Sequence, residues 1–233
     1  MEGSTVEYIA NAPCDRRVAS WTRWWVLFVF CLVSACQAGT WNCFGPIFPA
    51  VYLAFPSWSS AYLAWVINSA NVTFALMLYP VSSAVQRCGP RRITLFSAAA
   101  VFFGSAVRCL PLADGTPQRV VMLLSMLCNG AGGPWLNFGA PLLSELWFPA
   151  HERTMATSIA TVAVYAGGAL GFVIGPAIVG SPGDTSSAHT VLYRLFWIEA
   201  SVCLFALLCC VLYFPDRPTV RIAKLTLSLW VVE

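Results

Sequence analysis

Six apolar runs, each about as long as a bilayer is thick, constrain this chain more than any other feature. They fall near residues 24–50, 61–85, 93–112, 120–143, 155–179 and 191–214, and a helix needs about 20 successive apolar residues to cross the hydrocarbon. The chain is 58% hydrophobic and 10% charged, whereas soluble domains carry about 25% charged residues. No soluble fold of this length hides that much apolar surface. The expectation is an all-α integral membrane protein, with a cytosolic tail at 1–22, a six-helix transmembrane bundle at 23–215 and a second cytosolic tail at 216–233. The first sixteen residues are polar and no small-residue cleavage site follows a short apolar stretch, so the first helix is expected to direct insertion itself.

Orientation follows from the basic residues, because short cytosolic loops collect Lys and Arg. With the N-terminus inside, Arg16, Arg17, Arg23, Arg87, Arg91, Arg92, Arg153, Arg217, Arg221 and Lys224 face the cytosol, and only Arg108, Arg119 and Arg194 face the other side. Ten against three places both termini in the cytosol. Arg108, near the end of the third run, is expected to reach for the interface. A net charge of +3 gives no footing for nucleic acid.

Small residues form stripes inside the runs. Gly167, Gly171 and Gly175 recur every four residues, followed by Pro176, and would let another backbone come close. On the first run Ala35, Ala38, Asn42, Gly45, Pro46 and Pro49 make a similar face. Trp41-Asn42-Cys43-Phe44-Gly45-Pro46 is echoed by Trp135-Leu136-Asn137-Phe138-Gly139-Ala140-Pro141, as a three-plus-three repeat would produce. The ten cysteines lie mostly within the runs and lack paired spacing, so they read as packing residues, with no disulfide framework, metal site or cofactor expected. Asn71-Val72-Thr73 matches a glycosylation triplet but sits inside the second run, out of reach.

Thr40 to Asn42 with Gly45 to Ile47, Cys88 to Thr94, Val107 to Cys109, Asn129-Gly130, Trp147 to Pro149 with Glu152-Arg153, Tyr165 to Gly168, Gly175-Pro176 and Tyr213 to Pro215 form a set of motifs. Together they resemble the major facilitator superfamily and, within it, the solute carrier 49 group that includes the feline leukaemia virus subgroup C receptor-related transporters. The resemblance covers 23–218 and implies the N-terminal six-helix half of a twelve-helix transporter. Two departures stand out. The loop between helices two and three has Gln86 where the superfamily usually has an acid that latches the domains. The chain also stops after six helices, and 221–233 does not resemble the expected linker, which fits a splice variant, a truncated gene model or a read-through. The resemblance further implies that the glycine stripe of the fifth run meets the other half, so that without a partner it would drive self-association.

In such a fold the solute lies near the midplane between the halves, on faces of helices one, two, four and five. Gln37, Trp41 and Phe44 at i, i+4 and i+7 are expected to share one face, with Asn42 beside them. Trp41 resembles a substrate-contacting aromatic in choline- and haem-linked members, where it stacks on a cation or a ring. Asn129, Gly133, Asn137 and Pro141 fall on one stripe, and the two amides either line the cavity or bond between helices. Tyr165 stands where choline-type members carry glutamine, which implies a different ligand preference; a packed tyrosine is the alternative. Thr157 and Thr161 lie on its side and are expected to bond their own backbone. Glu199, several residues into the sixth run, is the proton-coupling candidate, or else the partner of Arg108 or Arg194. Glu145, His151, Glu152 and Arg153 lack the spacing of a zinc hydrolase and read as a charged latch.

Two functions follow as expectations. The first is transport of a small organic solute, which the resemblance implies to be a vitamin such as pyridoxine or an organic cation or related metabolite, coupled to protons, by rocking against a missing C-terminal half or a second copy. The second is a non-transporting membrane interaction protein. No cluster has spacing suited to catalysis, and no filter-like loop or charged ring points to a channel. The resemblance implies a lysosomal or plasma membrane, though the N-terminus lacks an acidic dileucine signal.

Overall fold

The structure, a computed structural model, describes residues 21–112 and 114–216. Apart from Trp21, Thr22 and Asp216, the two expected tails lie outside the described residues, and with them Cys14, Arg16, Arg17, Arg217, Arg221 and Lys224. Among the described residues there are eight helices: α1 Trp21–Asn42, α2 Phe48–Ala54, α3 Ser60–Cys88, α4 Pro90–Arg108, α5 Thr116–Phe138, α6 Ala140–Trp147, α7 Ala150–Val179 and α8 Thr185–Leu212. Six are long, and α2 and α6 are one- to two-turn pieces after α1 and α5.

Those pieces correct two expected spans. The first run was expected to continue to residue 50, but α1 ends at Asn42, residues 43–47 turn, and α2 starts afresh with Pro49 in its first turn. The fourth run was expected to be continuous over 120–143, but it breaks at Gly139, and Pro141 sits in the first turn of α6. Proline lacks the N–H that would continue a helix and suits a helix start. Both breaks fall within the echoed Trp-to-Pro segment, so the repeat marks a shared interruption at opposite ends of the bundle.

Local chemistry sets the other boundaries. The Ser59 side chain accepts from Tyr62 N at 3.2 Å and caps α3. Gly89, at φ +83°, makes a turn that few residues but glycine adopt, and Pro90 opens α4 directly behind it. Asp216 Oδ1 accepts from Arg91 N at 3.2 Å, so a carboxylate from beyond α8 stands beside the turn where Gln86 left an acid missing. Asp184 caps α8 through Ser187 N at 2.7 Å, and hydrogen bonds from the Ser187 side chain and backbone hold its carboxyl below the usual range.

Four helices, α1, α3, α7 and α8, are long and apolar enough to cross a membrane. The sequence had suggested six. The other two long helices carry more polarity: α4 has Arg91, Arg92 and Arg108, and α5 buries Gln118, Ser125, Asn129 and three glycines. Outward-facing side chains such as Leu76, Tyr79, Val173 and Phe205 are exposed, a surface suited to lipid rather than water.

The interior has two apolar ends and a polar waist. Phe30, Trp135, Phe148 and Phe214 anchor the end where α1 begins, and Phe55, Leu63, Met126 and Phe196 anchor the other. Between them lie Gln37, Thr40, Arg108, Ser125 and Asn129, all buried. Lipid tails are as apolar as this core, so close backbone approach and hydrogen bonds, not expulsion of water, must hold the helices. The glycine stripe supplies the approach. A Cβ on Gly171 would come 2.5 Å from Gly39 O, one on Gly175 would come 3.2 Å from Ile47 Cγ2, and one on Gly167 would strike the Ala35 backbone. The stripe is therefore occupied by α1, which corrects the expectation that Gly167, Gly171 and Gly175 await a missing half. Pro176, one position on, ends the stripe inside α7.

Candidate functional site

A groove of about 600 Å³ opens between α1, α3, α5 and α7. Gln37, Trp41 and Asn42 reach it from α1, Asn137 from α5, and Tyr165 from α7. The sequence singled out all five. Asn71 and Phe74 on α3 also line it, and Phe172 on α7. No charged residue is among the residues that line it.

The amides form a row. Gln37 Nε2 donates to Asn129 Oδ1 at 3.0 Å, and Asn129 Nδ2 donates to Thr40 Oγ1 at 2.6 Å and to Gln37 O at 3.3 Å. Asn137 Nδ2 donates to Gln37 Oε1 at 3.3 Å and to Gly133 O at 3.0 Å, and Asn42 Nδ2 donates to Ala38 O at 2.8 Å. Main-chain carbonyls only accept, so the amide nitrogens of Asn42 and Asn137 must face them. Each carboxamide oxygen is then left as the end available to a ligand. Asn129 is itself buried and bonds behind Gln37, so it braces the lining rather than forming it.

Aromatic rings supply the other wall. Phe74 meets Trp41 edge-on at 5.9 Å between centroids and Phe138 at 5.9 Å. Sequence reasoning missed Phe74. Its signal in the sequence is Asn71, three residues before it on the same helix face.

Phe44 does not belong to this wall. It is buried, 4.9 Å beneath the Arg108 guanidinium and stacked on Phe196 at 6.1 Å. The expected i, i+4, i+7 face fails because α1 ends at Asn42, before the third position. Pro141 leaves the stripe for the same reason, since it lies in α6. Thr161 bonds its own helix as expected, at 2.9 Å from Thr157 O, but the Thr157 hydroxyl meets a neighbouring helix, sharing a hydrogen bond with Ser144 Oγ on α6 at 2.8 Å.

Arg108 was expected near the interface but is wholly buried. Its Nη1 lies 3.0 Å from Glu199 Oε2, its Nε donates to Ser125 Oγ, and its Nη2 donates to Thr40 O at 3.4 Å. An unpaired guanidinium there would be prohibitive, and Glu199 is its counter-ion. Glu199 also borders a second, largely apolar cavity of about 250 Å³ between α1, α7 and α8. In the charged cluster, Glu152 pairs with Arg23 on α1 at 2.9 Å, and no metal-binding group of three occurs among the described residues.

The sequence pattern of the Major Facilitator Superfamily matches residues 30–229. The chain is similar to a Solute carrier family 49 member 4 homolog of Xenopus tropicalis, at 32% identity over 85% of this chain and 45% of that protein. It is also similar to human Choline/ethanolamine transporter FLVCR2, at 26% identity over 90% of this chain and 40% of that protein, and to Solute carrier family 49 member A3 of Danio rerio, at 30% over 80% and 39%. The chain thus spans less than half the length of each of these relatives. With an interrupted three-plus-three helix repeat, a polar groove at mid-bundle and a pattern match over most of its length, this chain belongs to the major facilitator superfamily.

Proposed function

We propose that this chain forms one wall of a membrane solute pathway and acts in transport of a small organic solute by alternating access. The observation that carries the reading is the groove, uncharged and about 600 Å³, with two oriented carboxamide oxygens under an aromatic wall. Such a lining favours a solute with N–H or O–H donors on a cationic or aromatic body. Ethanolamine, choline and a hydroxylated pyridine vitamin such as pyridoxine meet that description. Carboxylates and phosphate esters do not, because no Arg or Lys lines the groove. Relatives named as choline/ethanolamine transporters agree with a cationic solute.

The groove is completed by a partner of like size, a C-terminal six-helix half or a second copy, and the whole works in a lysosomal or plasma membrane with both ends of this chain in the cytosol. Glu199 is the residue through which proton coupling would run, by releasing Arg108 when it takes up a proton. Uptake of labelled pyridoxine, ethanolamine and choline into proteoliposomes, with and without a pH gradient, tests the reading. Saturable uptake of one of them, lost in Trp41→Ala, is expected. No uptake of any of the three, in chain or completed pair, would sink it. The alternative, a non-transporting interaction protein, has lost its main motive now that α1 occupies the glycine stripe.

A further inference from the structure

We propose that Arg108 and Thr40 are positioning residues for the groove: the buried guanidinium sets how α1 sits against α5, and Thr40 passes that setting to the amides facing the solute. The proposal rests on reading the groove as the solute site, but its main test does not need a solute.

None of the groups that Arg108 bonds lines the groove. It sits on the last turn of α4 and reaches both Ser125 on α5 and the Thr40 carbonyl on α1. Ser125 stands four residues before Asn129, and Thr40 three after Gln37. The guanidinium therefore ties together, one turn away, the same two helices that the Gln37–Asn129 amide pair joins. Its donors leave a rigid plane in fixed directions, so it cannot follow one helix without pulling on the other.

Thr40 belongs to both sets. Its carbonyl accepts from Arg108, and its Oγ1 accepts from Asn129 Nδ2 while donating back to Cys36 O at 2.9 Å. Asn129 has no slack to absorb a displacement, because both its amide hydrogens and its oxygen are engaged. Gln37 next hands the constraint to Asn137 through Oε1. Glu199 neutralises the charge that allows Arg108 to stay buried in this place, so a change at Glu199 reaches the groove through Arg108, Thr40 and Asn129 in turn.

The test is a double-mutant cycle on the thermal midpoint of the full chain in detergent micelles. Glu199→Gln and Asn129→Ser alter groups that share no hydrogen bond, yet the double variant is expected to depart from additivity by about 2–4 °C. The departure should persist with Thr40→Ser and largely vanish with Thr40→Val, which keeps the shape and drops the hydroxyl. Additive midpoints with Thr40 intact would overturn the proposal. If Asn129→Ser does not fold, Gln37→Met, which adds no charge, takes its place in the cycle with the same two outcomes. A second arm uses ethanolamine and choline as binding probes: Thr40→Val should weaken the better of them about fivefold and Thr40→Ser restore it. Unchanged affinity in Thr40→Val also overturns positioning. Absence of any binding to the unaltered chain counts against the groove as the site for these solutes, and the cycle then decides positioning alone.

Discussion

The waist of the bundle holds two polar clusters one helical turn apart, and they are built on opposite plans. The charged one, Arg108 with Glu199, Ser125 and the Thr40 carbonyl, is closed: the guanidinium is fully buried and has Phe44 beneath it. The neutral one, Gln37 with Asn129, Asn137 and Asn42, is open on one side and leaves oxygens unspent toward the groove. Charge is expensive to expose to hydrocarbon and to strip of partners, so the guanidinium is sealed away from the groove. Amides carry a smaller penalty, which lets the fold leave some of their capacity for a guest.

The largest expected effect comes from breaking the closed cluster. Arg108→Met should destabilise the bundle by about 3–5 kcal/mol, because Glu199 is left without its counter-ion, and adding Glu199→Gln should recover part of that loss. Thermal denaturation in micelles measures both; a midpoint no lower than that of a groove variant would erase the distinction between the clusters. Next comes Asn129→Leu, the brace of the open cluster, with a loss of about 1–3 kcal/mol from stranded partners. Trp41→Ala should leave the melt nearly unchanged yet weaken solute binding about tenfold, through lost stacking, read by titration with ethanolamine, choline and pyridoxine. The smallest effect is expected of Asn42→Ala, about threefold on affinity for a donor-bearing solute and little on stability. An Asn42→Ala chain that unfolds would mean that the open cluster is structural after all.

Much of this was legible from residue types along the runs. Polar side chains inside apolar helices announce themselves, so Gln37, Asn137 and Glu199 stood out, and so did the possibility that Glu199 answers Arg108. What the sequence hides is where a helix stops and what faces it. Phe44 was counted onto the groove face by a periodicity that ends two residues earlier, at the turn before Gly45 and Pro46. The glycine stripe advertises a close neighbour but not which one, and that neighbour is α1. Phe74 is an apolar residue in an apolar run, set apart from those that meet lipid only by Asn71 three residues before it on the same face.

That contact between α1 and α7 has a mechanical result. Backbone set against backbone, with Gly39 seated on Gly171 and Ala35 on Gly167, leaves little side-chain bulk to shear at the centre of the crossing. The two helices belong to different repeats, yet they must travel as a single splint, carrying Trp41 and Tyr165 at a fixed spacing. Under the transport reading proposed above, a gate for the solute would swing elsewhere, on the α3 and α5 side or at the boundary with a partner. Stiffening that splint further should slow nothing, whereas a side chain wedged into it at Gly39 would spread the groove apart.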